Sequence, residues 1–301
     1  IVAQATKQNM LFTFNRETGE PIWPIEERPV PASDIPGEKL AETQPFTTIP
    51  APYGQQGISH DDLTDFTPEL RAQAIEALKE HKLGPLFNPP LHSDNDQGYR
   101  AAYWCPGDNG GTNIYGPTVA DPESSIVYVT TQNGCSSRIV VSGEERDANI
   151  KAPTGRTFSA YASLRSDQVR HPAGIPLLKP PYSHITAIDM KTGEHLWQLP
   201  VGETPDTYKD NPALAGIDIG ETGTGRHAPM LVTKTVFMYG GQLSDGTSAL
   251  FFVDKASGET LGSVEVPDRI NYGLSTYVHD GKQYIMLQTG SKLTAMALGD
   301  F

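Results

Sequence analysis

TAIDMKTGEHLW, residues 186–197, joins a strand-like run to a turn and then to a tryptophan. The run ends at Asp189, the turn closes at Gly193, and the indole follows at Trp197. Glycine adopts the left-handed backbone that closes a tight turn after an aspartate. The stretch therefore predicts two short antiparallel strands joined by a turn of the Asp-x-x-Thr-Gly type.

The same phrase occurs elsewhere in the chain. TFNRETGEPIW (13–23) ends in Trp23, whereas FFVDKASGETLGSV (251–264) keeps the turn glycine but lacks the tryptophan. A turn that recurs between short strands is typical of the blades of a β-propeller, where an indole can wedge between neighbouring sheets. Unrelated hairpins with common turn chemistry are the alternative. Two near copies with Trp at the same offset favour the repeat.

Most other segments also predict strands, because β-formers alternate with Gly, Pro, Asn and Asp. Asp280-Gly281 predicts a hairpin turn of type I′, since both positions tolerate positive φ. The predicted strands are 9–15, 124–131, 184–189, 230–240, 248–254, 275–290 and 292–298. The pattern indicates an all-β fold of several four-stranded antiparallel blades.

One helix is predicted among these strands. Thr67 is the expected N-cap, Pro68 the first helical residue and Gly84 the stop signal. The surrounding residues, from about 51 to 100, otherwise lack a regular pattern. We interpret residues 1–301 as one partial propeller with a helix-containing insertion at about 51–100.

Composition limits the function. The net charge of −13 argues against nucleic acid as a partner, because a phosphate binder needs a basic face. No apolar run approaches the length of a membrane span. The chain opens with IVAQATKQNM, in the middle of an apolar strand and without a signal peptide, and we expect it to be part of a longer protein.

Cys105 and Cys135 are the only cysteines. In a reducing compartment they would be buried free thiols, and in an oxidising one they could form a disulfide. Their spacing alone leaves both alternatives open.

The motif A-x-D-x-x-T-G-E-x-x-W resembles the tryptophan-docking motif of the quinoprotein dehydrogenases, which carry pyrroloquinoline quinone (PQQ) in an eight-bladed propeller. The resemblance extends over nearly the whole chain and implies the C-terminal portion of such an enzyme, with N-terminal blades missing. The other stretches similar to the glucose and quinate dehydrogenase branch are TKQNMLFTFNRETGEPIWPIEERPVP (6–31), ETQPF (42–46), LGPLFNPP (83–90), PGDNGGTNIYGPTVADPESSIVYV (106–129) and DGKQYIMLQTG (280–290).

Lys7 is the catalytic residue that the resemblance implies. In similar enzymes a lysine at this position hydrogen-bonds the reactive quinone oxygens, where an ammonium stabilises the negative charge that develops on reduction. An ordinary solvated lysine is the alternative reading of the same residue.

The glycine loop GGTNIYGP implies two further cofactor contacts, Thr112 and Asn113. An amide at Asn113 can hold a quinone or carboxylate oxygen, and Gly110 and Gly111 let the backbone approach closely. The alternative for Asn113 is a turn asparagine. Many relatives have Trp where this chain has Ile114, so an aromatic contact there is not expected.

TGTGRHAPMLVTKTVF (222–237) resembles a stretch near the cofactor side of the propeller. Arg226 and His227 would face the central funnel, where cationic groups suit a tricarboxylate cofactor. In the alternative, Arg226 pairs with a surface carboxylate and His227 fills space.

The resemblance also bears on the cysteines and on metals. Some quinoprotein dehydrogenases pair cysteines at similar places, which implies a Cys105–Cys135 disulfide. Ca²⁺ is an expected cofactor, but its ligands and the catalytic base are expected mostly upstream of this chain. Asp108 and Asp121 are therefore not assigned as metal ligands or base.

The leading hypothesis is a C-terminal fragment of a periplasmic PQQ-dependent dehydrogenase that oxidises an alcohol, polyol or sugar. Electrons would pass to ubiquinone or a cytochrome, and a preceding segment could attach the protein to a membrane. The fragment alone is expected to be inactive and to self-associate through exposed sheet edges. The alternative is a propeller that serves as a non-catalytic scaffold or binding module.

Overall fold

The computed structural model describes residues 1–113, 118–149, 159–165 and 168–297. Short strands dominate these residues. The strands are β1 (Val2–Ala5), β2 (Leu11–Phe14), β3 (Ile25–Pro29), β4 (Thr43–Thr47), β5 (Gly57–Ile58), β6 (His81–Lys82), β7 (Gly84–Pro85), β8 (Leu91–His92), β9 (Ala101–Trp104), β10 (Val119–Asp121), β11 (Ile126–Gln132), β12 (Ser136–Ser142), β13 (Tyr161–Arg165), β14 (Ser183–Asp189), β15 (His195–Pro200), β16 (Met230–Val232), β17 (Phe237–Gln242), β18 (Ser248–Val253), β19 (Thr260–Glu265), β20 (Ser275–His279), β21 (Lys282–Thr289) and β22 (Lys292–Ala297).

Helices are few and short. The helices are α1 (Pro68–Leu78), α2 (Gly143–Asn149) and α3 (Asp206–Lys209), with 3₁₀ turns at His60–Asp62 and Pro212–Leu214. Within the described ranges, no helix combines the length and the apolar character needed to cross a membrane.

Four antiparallel sheets follow one another along the chain, and we call them the first to fourth blades. The first blade is β1–β2, the second β10–β11–β14–β15, the third β16–β17–β18–β19 and the fourth β20–β21–β22. The second and third blades thus have the four strands that the sequence predicts. The short strand pairs β3–β4 and β5–β7 lie outside the blades.

The blades pack face to face in chain order. Strand β11 shows how, because successive side chains of a strand point to opposite faces. Val129 packs with Leu11 of the first blade, whereas Tyr128 stacks on Phe237 of the third blade with ring centroids 4.6 Å apart. Leu287 closes the next interface, between the third and fourth blades. This arrangement confirms the predicted partial β-propeller.

The repeated turn has the same structure in each of its copies. In each one an Asn or Asp side chain accepts a hydrogen bond from the backbone N–H two residues further on, as in an Asx turn. A glycine then closes the turn with φ of +77°, +79° and +77°. The three turns begin at Asn15, Asp189 and Asp254 and close at Gly19, Gly193 and Gly258.

The turn glycine has a second role, because the tryptophan of the preceding blade lies against it. A Cβ on Gly258 would lie 2.7 Å from Cδ2 of Trp197, and Nε1 of Trp197 donates to the backbone oxygen of Lys255 at 3.1 Å. At Gly193 an added Cβ would lie 2.1 Å from Cγ2 of Ile49 and 3.5 Å from Cζ2 of Trp23, so Trp23 also lies close to its turn glycine. The two copies that carry a tryptophan therefore couple the first blade to the second and the second blade to the third.

The helix forms as predicted at its start but ends earlier. Oγ1 of Thr67 accepts from the N–H of Leu70 at 3.2 Å, and Pro68 is the first helical residue. The predicted end at Gly84 is wrong, because α1 stops at Leu78 and the chain turns into β6 to pair with β9. The residues after Leu78 therefore pair with β9 instead of continuing the helix.

The predicted single strand at 230–240 is also wrong. It is a hairpin, β16 and β17, because Thr233 and Val236 form a tight turn in which the backbone N–H of Thr233 donates to the oxygen of Val236 at 2.9 Å. The hairpin at Asp280-Gly281 forms as expected, with φ of +49° at Asp280 and +75° at Gly281.

A five-stranded sheet was not expected from the sequence. Its order is β13–β12–β9–β6, with β8 beside β12. It combines residues from the predicted insertion with the long connection between β11 and β14. Cys105 and Cys135 lie where β9 and β12 adjoin and form a disulfide, with Cα atoms 4.5 Å apart.

Candidate functional site

The topology brings four loops to one end of the blade stack. In an antiparallel blade, connections alternate between the two ends. The three Asx turns share one end, so the β1–β2 connection and the segments that enter β10, β16 and β20 lie at the other. Lys7, Asn113, His227 and Arg269 lie in these four connections, one in each. Three of these four were predicted site residues.

His227 links the loops of the second and third blades. Its Nε2 lies 2.6 Å from the backbone oxygen of Gly111, and because a carbonyl only accepts, Nε2 carries the hydrogen. Its Nδ1 is then an acceptor, and it faces Nδ2 of Asn113 at 3.5 Å. The pair fixes the direction in which the amide of Asn113 points. Ile114 lies outside the described residues.

The imidazole of His227 is held neutral. Burial lowers its pKa, and the positive charges of Lys7 and Arg269 lower it further, while the hydrogen bond to Gly111 opposes the shift. A neutral ring suits its role, because one ring nitrogen donates to Gly111 and the other accepts from Asn113 in the same loop.

Gly111 brings Lys7 against the glycine loop. Its φ is +68°, and an added Cβ would lie only 1.8 Å from the backbone oxygen of Lys7, so only glycine fits. The ammonium of Lys7 donates to the backbone oxygen of Asp108, in the same loop. Lys7 also lines a cavity of about 470 Å³ together with Trp104 and Asp108. Its charge is thus positioned beside open space.

Thr112 is placed differently from its neighbour Asn113. Its buried hydroxyl donates to the backbone oxygen of Thr130 at 2.7 Å and lies 2.8 Å from the hydroxyl of Tyr53. Both partners belong to the protein, so the side chain fastens the loop to the second blade. A direct cofactor contact of Thr112 stays a prediction. Tyr53 itself was missed, because no motif marks it.

Arg226 and Arg269 add positive charge at the same end. Arg226 precedes His227, and its backbone N–H donates to Oγ of Ser183 at 3.2 Å. Burial lowers the pKa of Arg269, and the charge of Arg226 lowers it further. Considering only residues that the structure describes, neither arginine nor Lys7 has a carboxylate within 4.0 Å. Arg269 was missed, although its place before the first strand of a blade matches that of His227.

A second cavity, of about 600 Å³, adjoins the glycine loop. Its walls include Asn109, Tyr182 and Tyr208. Burial raises the pKa of Tyr208, and the charge of Arg226 opposes this rise. Gly225, the residue before Arg226, also lines this cavity. Lys7 therefore borders one space large enough for a small molecule, and the segment that leads to Arg226 borders the other.

The two aspartates that were not assigned as ligands have structural partners. The carboxylate of Asp108 pairs with Arg138. That of Asp121 pairs with Lys255 at 2.6 Å, and this hydrogen bond holds the pKa of Asp121 below its usual value. Across the described ranges there is no group of three or more His, Cys, Asp or Glu that could hold a metal ion. We assign no residue of this chain to Ca²⁺.

Comparison with known proteins gives a family match and several relatives. Residues 1–285 match the family model described as PQQ: glucose/ethanol/alcohol dehydrogenase, beta-propeller domain. The "Probable quinate dehydrogenase (quinone)" of Xanthomonas campestris pv. juglandis is 26% identical over 100% of this chain and 38% of its own length.

Two further relatives have similar sequence identity to this chain. The quinate/shikimate dehydrogenase (quinone) of Acinetobacter baylyi is 25% identical over 100% of this chain and 37% of its own length. The glycerol dehydrogenase large subunit of Gluconobacter thailandicus is 27% identical over 95% of this chain and 40% of its own length. The chain thus spans well under half the length of these relatives.

Proposed function

Because this chain belongs to the PQQ-dependent glucose/ethanol/alcohol dehydrogenase β-propeller family, we propose that it forms part of the cofactor cradle of an enzyme that oxidises an alcohol, polyol or sugar. The observation that carries this proposal is the set of Lys7, Asn113, Arg226, His227 and Arg269 at one end of the blades. Three of the five are cations without a described carboxylate partner.

The residues present fit PQQ, a planar ortho-quinone with three carboxylates. Bound PQQ accepts the two electrons of alcohol oxidation. Lys7 would hold its ammonium at the quinone oxygens and stabilise the negative charge that develops there. Gly111 supports this role, because its close contact with Lys7 fixes where the lysine backbone lies.

Asn113 and His227 would act as a positioned pair. His227 is anchored to Gly111, so the amide of Asn113 is oriented before any ligand arrives. Preorganised donors lose less entropy on binding than mobile ones. Asn113 would therefore hold a polar oxygen of the cofactor, and Arg226 would add charge that matches its carboxylates.

The wider setting of the reaction is also proposed. Relatives whose names include quinone suggest ubiquinone as electron acceptor, with a cytochrome as the second candidate. We place the enzyme in the periplasm, where the Cys105–Cys135 disulfide would persist, with membrane attachment through another segment. This chain by itself is expected to be inactive, because Ca²⁺ ligands and a catalytic base would have to come from other blades.

PQQ binding and dye reduction test the proposal. The product of the full reading frame should bind PQQ in the presence of Ca²⁺ and reduce an artificial electron acceptor with an alcohol, polyol or sugar. Lys7→Ala should lower kcat by about a hundredfold or more while PQQ stays bound, because charge stabilisation in the transition state is lost. Wild-type protein that retains no PQQ and turns over no substrate would instead favour the scaffold.

A further inference from the structure

The cavity of about 600 Å³ lies beside the loops that carry the proposed site residues. Gly110 in its wall comes shortly before Asn113 in the glycine loop, and Gly225 belongs to the connection that enters the third blade. Asp108 lines the cavity as well, and its backbone oxygen accepts a hydrogen bond from Lys7. A molecule in this cavity would therefore lie next to the proposed site.

Three tyrosines, Tyr103, Tyr182 and Tyr208, line the cavity. Tyr182 is only 6% exposed, and its ring meets that of Tyr208 edge-on, with the ring centroids 5.6 Å apart. Within the described part of the chain, none of the three hydroxyl groups forms a hydrogen bond. The hydroxyl of Tyr182 is not sealed off by protein atoms either, so it faces the open space of the cavity. Buried phenols normally have a partner, and here a ligand can supply it.

The wall offers several groups that both donate and accept hydrogen bonds. Burial raises the pKa of Tyr182 and of Tyr208, so both phenols stay protonated and each can donate one hydrogen bond and accept another. The carboxamides of Asn109 and Gln132 line the same cavity, and among the described residues they form no hydrogen bond of their own. A carboxamide also carries both a donor and an acceptor.

The charged residues of the wall are paired or lie at the surface. The carboxylate of Asp108 pairs with Arg138 at 2.5 Å, and Arg170 is exposed. The buried ring of His171 has a partner for each nitrogen, because Nε2 donates to the backbone oxygen of Leu70 at 2.9 Å and Nδ1 accepts from a backbone N–H at 3.1 Å. As far as the structure describes them, the buried groups of this wall are therefore polar but carry no unpaired charge.

We propose that this cavity binds the polyhydroxylated part of a neutral substrate, a polyol or a sugar, and that Tyr182 and Tyr208 hydrogen-bond its hydroxyl groups. The hydroxyl groups of a polyol donate and accept, as the phenols and carboxamides of the wall do. A carboxylate would find no buried cation there, and a simple alcohol would leave most of the polar groups unpaired. The inference rests on the proposed function and narrows its substrate class.

Calorimetric titration tests the cavity without turnover. The product of the full reading frame is titrated with sorbitol and with D-glucose as neutral polyhydroxylated probes. The comparison probes are 1,6-hexanediol, which has a carbon chain of the same length but fewer hydroxyl groups, and gluconate, which adds a carboxylate. Tyr182→Phe and Tyr208→Phe remove a hydroxyl group and keep the ring. Tyr99→Phe is the matched control, because Tyr99 is 37% exposed and lines a different cavity.

The wild type should bind at least one neutral polyhydroxylated probe more tightly than 1,6-hexanediol and gluconate. Tyr182→Phe should weaken binding of that probe about fivefold to tenfold, because a hydrogen bond is lost, and Tyr99→Phe should change nothing. With a polyol substrate and PQQ, Tyr182→Phe should raise KM by a similar factor and leave kcat within about twofold, since the phenol binds ground state and transition state alike.

The cavity assignment is refuted if Tyr182→Phe and Tyr208→Phe both fold and both leave the affinity within about twofold of the wild type. Wild-type protein that binds neither neutral probe, or that binds gluconate or 1,6-hexanediol more tightly than both, also refutes it. Failure of the proposed function is a separate result. It is seen when the wild type does not reduce dye with PQQ, whereas binding of a polyol that depends on Tyr182 can still be measured.

Discussion

At the scale of single residues, Gly111 has the most demanding position. Its backbone is left-handed, and the backbone oxygen of Lys7 fills the place of a side chain. Gly111→Ala should therefore destabilise the fold by about 2 kcal/mol or more and weaken PQQ binding, because Lys7 must move. Gly19→Ala is the control, since Gly19 has a similar φ but open space around it. Urea unfolding of both variants measures the difference, and equal losses would contradict the steric argument.

Buried histidines predict how stability varies with pH. Burial lowers the pKa of His81, His184 and His227 in the folded protein, whereas an unfolded histidine titrates near about 6.5. Below that pH these histidines bind protons in the unfolded state but stay neutral in the folded state. Stability should thus be full above about pH 6.5 and fall as the pH drops below it, with a slope of at most about 1.4 kcal/mol per pH unit for each histidine.

Urea unfolding at a series of pH values checks this slope. His227→Gln should make it shallower, because one proton fewer is linked to unfolding. His279→Gln is the matched control, as the His279 side chain is 71% exposed. An unchanged slope in His227→Gln would show that the ring is not held neutral by the fold.

Sequence reasoning found part of the site. Lys7, Asn113 and His227 could be predicted because recognisable motifs surround them, and the fold brings them to one end of the blades. Arg269 and Tyr53 could not be predicted, since nothing in the local sequence distinguishes them from other arginines and tyrosines. Their roles follow from the position of a blade entrance and from a hydrogen bond between residues 59 apart in the chain. Such partners become visible only in three dimensions.

At the scale of elements, Trp197 is one of the residues that join the second blade to the third. Trp197 leaves β15 to reach the turn between β18 and β19 of the next blade. Trp197→Ala should lower stability by about 3 kcal/mol, since a large apolar contact and a hydrogen bond are both lost. Leu196→Ala, one residue away on the exposed face of β15, should cost little. Thermal unfolding of both variants tests this, and similar costs would mean that the ring is not the coupling element.

Elements were easier to predict than their limits. The Asx turns and the Asp280-Gly281 hairpin depend on local backbone preference, which a sequence shows directly. The end of α1 and the strands β12 and β13 depend on which partner a segment finds. β12 pairs with β9 and β13, so its existence is a property of the assembled sheet.

At the scale of the whole molecule, the outer faces of the two end blades are open. Ala5 and Leu11 turn towards the second blade, which leaves Phe12 on the free side of the first one. Tyr277 and Tyr284 stack 5.2 Å apart on the free side of the fourth blade. Apolar sheet faces of this kind favour association.

We expect the chain on its own to self-associate through these faces. Leu293 lies on the free side of the fourth blade and is 75% exposed, so Leu293→Glu should weaken association by placing a charge in the contact. Leu261→Glu is the control, because Leu261 is 62% exposed on β19, away from the end faces. Sedimentation velocity across a dilution series measures the effect. A chain that stays monomeric at every concentration would contradict this prediction.

The missing tryptophan in the third copy of the turn phrase has a mechanical consequence. Trp23 and Trp197 each contact the blade that follows in the chain. At the corresponding position in β19 the chain has Gly262 instead. The interface between the third and fourth blades therefore lacks the tryptophan contact that stabilises the two earlier interfaces. Under mechanical load or on gentle warming, the fourth blade should separate from the third one first. Its amide protons should exchange with solvent before those of the first three blades.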